Sequence, residues 1–124
     1  RLVSQRGRFE RIISRYKTQQ QSPTLPMEMH VLRIGEVAFA TNRFEYYMDF
    51  MHRIQARSPF LQTFVVQLTA VPGMDGGTYL ATERGVEGKG YSACLFCNLV
   101  SPAGGQQIVD ETVRILQDLH GDGN

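Results

Sequence analysis

EMHVLRIGEVAFAT, residues 28–41, holds two short β-rich runs, 28–34 and 36–41, meeting at Gly35-Glu36. That pattern suits a tight antiparallel hairpin. Downstream, Asn42 stands where it can cap a helix from about Arg43 to Ala56. Phe44, Tyr47, Met48, Met51 and Ile54 would form its apolar stripe, with Glu45, Asp49 and His52 on another face. After a break at Ser58-Pro59, QTFVVQLTAV (residues 62–71) has the β-branched composition of a strand covered on both faces. Residues 72–90 hold six of the twelve glycines and one proline, and read as loop. YSACLFCNLV (residues 91–100) reads as extended, and Ser101-Pro102 then opens a helix with Ile108, Val109, Thr112, Ile115, Leu116 and Leu119 facing inward and Gly121 as its stop. Upstream of the hairpin, Phe9, Ile12, Ile13 and Tyr16 recur at helical spacing, so residues 2–18 read as an amphipathic helix that ends at the polar, proline-containing QQQSPTLP. Together these elements predict an α+β fold, a mixed β-sheet flanked by helices.

At 124 residues the chain is one domain or a fragment of one, and its 42% hydrophobic and 20% charged content are those of a globular protein. A net charge of +1 conceals an asymmetry: residues 1–17 carry six Arg or Lys against one acid, so the rest of the chain is acidic on balance. The basic helical segment, residues 1–21, is either a solvated face against a more acidic body or a contact surface for a phosphate-rich partner. No aromatic stacking motif accompanies the charge, so no nucleic acid is expected. No apolar run is long enough to cross a bilayer, and the basic start lacks the apolar core of a signal peptide. Arg1 leaves open a longer precursor, and the compartment is not legible.

Four constellations carry possible chemistry. Cys94 and Cys97 form a C-x-x-C without further cysteines, open to reading as a redox pair, half of a zinc site or two buried thiols. Glu45, Asp49 and His52 could meet a metal from one helix face or simply be its wet side, and Glu45 in the first turn would feel the helix dipole. GVEGKGY lacks the Ser or Thr and the spacing of a phosphate-binding loop. Tyr79 and Tyr91 flank a stretch punctuated by Gly85, Gly88 and Gly90. They are either core tyrosines bonded to backbone or phenols aimed at one point, since a phenol with an ordinary pKa of about 10 becomes a usable ligand beside a dication. Glu83 and Arg84 are expected to brace the loop by pairing with each other or with backbone, His30 to make a local hydrogen bond, and His120 to lie in a fraying tail.

The runs VAFATNRFEYYMDFMHRIQARSPFLQTFVVQLTAVPG, GTYLATERGVEGKGYSA and SPAGGQQIVDETVRILQDL resemble the carboxy-terminal part of the catalytic domain of the neutral/alkaline non-lysosomal ceramidase-like family, in its uncharacterised bacterial branch. Members are zinc-dependent amidases that cut N-acyl-sphingosine, with zinc held by two histidines from the earlier part of the domain and by a glutamate and a tyrosine from the later part. TNRFE stands where the family's glutamate follows a strand, which implies Glu45 as one metal ligand. YLAT matches the family's Tyr-Val-Thr-Thr-like sequence, which implies Tyr79 as another. A second tyrosine of the family, close to the reacting carbonyl, falls on Tyr91, giving it the catalytic role.

The resemblance thus implies zinc as cofactor, a lipid-like amide as substrate, and a fragment of a larger α/β catalytic domain whose upstream part supplies the histidines. His30 and His52 do not match those histidines, so the isolated chain is expected to be inactive. It also implies an exported parent, periplasmic or extracellular. The alternative class is a non-catalytic interaction module that uses the basic first helix.

Overall fold

The computed structural model describes residues 2–70 and 78–121, with side chains from Gln5 onward. Val31–Ile34 (β1) and Val37–Thr41 (β2) form the expected hairpin, antiparallel with Ile34 opposite Val37 and Val31 opposite Ala40. Gly35, at φ +60°, makes the turn in the left-handed region that a side chain disfavours. Beyond the hairpin, Gln62–Val66 (β4) lies parallel on the other side of β2, and the helix Met48–Arg57 (α2) makes the crossover between them. A parallel pair cannot be joined by a short turn, so this connection has to leave the sheet and return across its face.

Side chains alternate across a strand, and the two faces of the sheet have different fates. Val31, Ala38, Ala40, Thr63 and Val65 turn towards α2 and the long helix Pro102–Gly121 (α4), whose Val109, Thr112, Val113 and Leu116 are buried. Leu32, Ile34, Phe64 and Val66 lie on the other face, which is exposed, and Phe39 stacks on Phe64 there with ring centroids 5.2 Å apart. The expectation that residues 62–71 are covered on both faces is therefore corrected among the described residues. Helices lie on one face only, and a β-branched run reads alike in either setting.

Asn42 is not a helix cap. Its Oδ1 accepts the Phe44 backbone N–H at 2.9 Å, and the chain then enters a short strand, Glu45–Tyr46 (β3), before α2 starts after Tyr47. Local chemistry favours an Asx turn and an N-cap equally. What decides is Tyr79–Leu80 (β5), which pairs parallel with β3, Glu45 opposite Tyr79 and Tyr46 opposite Leu80. Two ladder bonds extend that pairing, Glu45 N–H to the Thr78 carbonyl and Tyr47 N–H to the Leu80 carbonyl. Glu45 thus stands on a strand, and it shares no helix face with Asp49 and His52.

The glycine-punctuated stretch is more regular than expected. Residues 71–77 lie outside the described residues, but from Thr78 onward the chain forms β5 and then Glu83–Glu87 (α3), whose N-cap Thr82 accepts the Gly85 N–H. Gly85 packs against Tyr47 so closely that a Cβ there would stand 2.5 Å from the ring edge, so the contact needs glycine. Residues 91–100 are not a strand either: Tyr91–Ala93 is a single 3₁₀ turn, and Cys97 N–H closes a second turn onto the Cys94 carbonyl. Both cysteines are free thiols, Cys97 buried and Cys94 partly exposed.

Leu2–Thr18 (α1) forms where its periodicity placed it, with an unexpected orientation. Phe9, Ile13 and Tyr16 are exposed, while Arg15 donates to the Leu95 carbonyl at 2.6 Å and the Arg8 guanidinium lies 4.6 Å from the Phe96 ring centre. No helix among the described residues is long and apolar enough to cross a membrane.

Candidate metal and substrate site

Parallel pairing of β3 with β5 sets Glu45 and Tyr79 side by side although 34 positions separate them in sequence. The neighbouring Glu45 carboxylate, by hydrogen-bonding interaction first and by its charge second, raises the Tyr79 phenol above its ordinary pKa of 10.0. Next to Tyr79 is the Tyr91 ring, edge-on at 83° with centroids 6.4 Å apart. Phe96 supports Tyr91 from another side at 5.7 Å, yet Tyr91 remains 61% exposed.

An open cleft of about 440 Å³ lies beside this pair, lined by Glu45, Tyr47, Asp49, Gln67, Tyr79 and Arg84 among others. Tyr91 stands outside its lining. Asp49, in the first turn of α2, accepts from Thr82 Oγ1 at 2.9 Å and from Arg84 Nη2 at 2.5 Å, tying α3 to the cleft wall. Gln67 Oε1 accepts the Tyr46 N–H at 2.8 Å, which fixes β3 from its other side. Tyr47 and Ser92 share a hydroxyl–hydroxyl bond of 2.6 Å that ties the Tyr91 turn to the start of α2.

Glu45, Tyr79 and Tyr91, singled out in the sequence, therefore come together. Glu83 and Arg84 do not pair with each other: Arg84 goes to Asp49, and Glu83 lies 3.8 Å from Arg53. Consecutive helical residues point in different directions, so the expected pair is geometrically unfavourable. His52 is exposed on α2. His30 bonds Glu28 at 2.6 Å, and His120 packs edge-on against Phe60 at 5.2 Å instead of fraying. Gln67 and Ser92 were missed, and Asp49 was named only as part of a helix face with Glu45 and His52. Thr82 stands in the N-cap position ahead of Glu83, a signal the sequence carried.

Among the described residues no group of three or more His, Cys, Asp or Glu could hold a metal ion. Glu45 and Tyr79 offer two adjacent oxygen donors, one anionic and one that must first give up its proton, which fits half of a four-donor zinc set.

The pairing of Glu45 with Tyr79 has a consequence in pH. Because folding raises the phenol pKa, the contribution of the Glu45–Tyr79 interaction to stability is present below about pH 10 and is lost as pH climbs through the raised value. Replacing Glu45 by Gln removes the charge, so Tyr79 should titrate closer to an ordinary phenol. A pH titration of isotope-labelled Tyr79 by NMR checks this, and an unmoved midpoint contradicts the influence of Glu45 on the phenol. No family model, curated protein or solved structure matches this chain.

Proposed function

We propose that the chain is the carboxy-terminal part of a zinc-dependent amide hydrolase of the neutral ceramidase kind, acting on N-acyl-sphingosine or a related lipid-like amide. One observation carries the reading: Glu45 and Tyr79 are register partners, with the Tyr91 ring against Tyr79. The resemblance in the sequence singles out the same three residues.

In this reading Glu45 and Tyr79 hold the metal, together with two histidines from the upstream part of the same domain. Zinc, when bound, supplies Lewis acidity towards water and towards the amide carbonyl. To serve as a donor beside the Glu45 carboxylate, Tyr79 would have to give its proton to solvent, and Glu45 opposes that loss until a cation is there to favour the phenolate. The exposed Tyr91 hydroxyl donates a hydrogen bond to the carbonyl oxygen as negative charge gathers on it. The Asp49–Arg84 and Asp49–Thr82 bonds hold α3 against the cleft wall.

Two donors make a weak site, so the 124-residue chain should retain substoichiometric zinc after dialysis. Residual binding, followed by calorimetry, should disappear in Glu45→Gln and in Tyr79→Phe. A dialysis-resistant stoichiometric site, or binding that survives both substitutions, overturns the assignment.

A further inference from the structure

Tyr91 is largely exposed and sits on a turn of only three residues, too short to hold itself in place. Something else must fix it against Tyr79. The strand end and the turn are joined by one side chain. Asn98 Oδ1 accepts the Ala81 N–H at 3.0 Å, while Asn98 Nδ2 donates to the Ser92 carbonyl at 2.7 Å and the Cys94 carbonyl at 3.0 Å.

Ala81 lies two residues beyond Tyr79, and Ser92 directly follows Tyr91. Both amide hydrogens are used, and reversing the amide would turn its oxygen towards two carbonyl oxygens, so the orientation is unique. The backbone adds a parallel bridge between Tyr79 and Asn98, and Leu99 N–H reaches Thr78 Oγ1 at 3.4 Å.

We infer that Asn98 is a positioning residue: its carboxamide bolts the turn bearing Tyr91 to the strand bearing Tyr79 and so sets the relation between the two phenols. Its importance for catalysis rests on the reading above. The placement itself does not, and it can be tested in the metal-free chain.

Asn98→Asp is the discriminating variant, since it retains an acceptor for Ala81 but loses both donors and turns charge towards the Ser92 and Cys94 carbonyls. NMR of the aromatic rings should then show loss of the Tyr79–Tyr91 contact while the buried Tyr46–Phe50 contact persists, those rings being stacked 4.7 Å apart at the core. Ser92→Ala, which removes only the hydroxyl bond to Tyr47, should leave the Tyr79–Tyr91 contact in place. The inference is overturned if Asn98→Asp keeps that contact, or if Ser92→Ala abolishes it. It is equally overturned if Asn98→Asp and Asn98→Ala both lose the Tyr46–Phe50 contact, because Asn98 would then support the whole domain. Failure here with weak zinc binding intact would sink only the placement, and the converse result would sink only the hydrolase reading.

Discussion

Truncating Phe50 to alanine should destabilise the domain by about 3–5 kcal/mol, the range for a large aromatic removed from a packed core. Phe50 is 0% exposed, stacks on Tyr46 with planes 11° apart, and carries the Arg53 guanidinium 5.2 Å from its ring centre. Its far edge fills a slot that exists because residue 105 is glycine: a Cβ there would stand 2.4 Å from the Phe50 ring tip. One ring thereby joins α2 and the adjoining β3 to α4, which is distant from both in sequence. The neighbouring Tyr46 hydroxyl, bonded to the Gly105 carbonyl at 2.8 Å, anchors the walls and limits how far they can collapse into the space left behind. Domains of this size hold on the order of 5–15 kcal/mol in total, so the loss would be a large fraction of stability. Urea unfolding should show a lower midpoint at unchanged slope. A cost below about 1 kcal/mol would mean that the ring is not the keystone its surroundings indicate.

The largest functional effect is expected at Tyr91. Under the proposed reading, in a parent protein that supplies the two histidines, Tyr91→Phe should lower kcat by about 10²–10³-fold, the loss seen when a single oxyanion donor is removed. Phenylalanine keeps the ring contacts with Tyr79 and Phe96 and deletes only the hydroxyl, so metal content should stay constant. KM should change little, because a donor used only as charge develops acts in the transition state. Tyr79→Phe should behave differently, losing metal together with activity. An unchanged rate in Tyr91→Phe removes that phenol from the mechanism.

Much of the architecture was legible where a local rule acts alone. Gly35 marks its hairpin because a positive φ costs glycine little. Ser101-Pro102 opens α4, with Ser101 Oγ accepting the Gly104 N–H. Periodicity located α1 and most of the inward face of α4; Val113 is buried as well, while Ile115 is only partly buried and lies outside the core cluster. Legibility failed wherever two local structures share one signal. Asn42 serves an Asx turn as readily as a cap, and the apolar run 91–100 looks extended until Asn98 folds it back on itself. The α1 stripe predicts amphipathicity but not which side meets the body. Arg8 and Arg15 take the inner side because Phe96 and the Leu95 carbonyl offer a ring face and an acceptor there.

For the candidate site, the residue types and the twelve-residue interval from Tyr79 to Tyr91 were in the sequence, as was the resemblance that singled out Glu45. Sequence alone determined the hairpin, the long helices and the chemistry available, because these follow from φ preferences, side-chain periodicity and titratable groups that each residue carries with it. Only the tertiary structure decided that Glu45 leaves the expected helix and meets Tyr79. That choice depends on backbone hydrogen bonds between β3 and β5, whose partners no local pattern identifies.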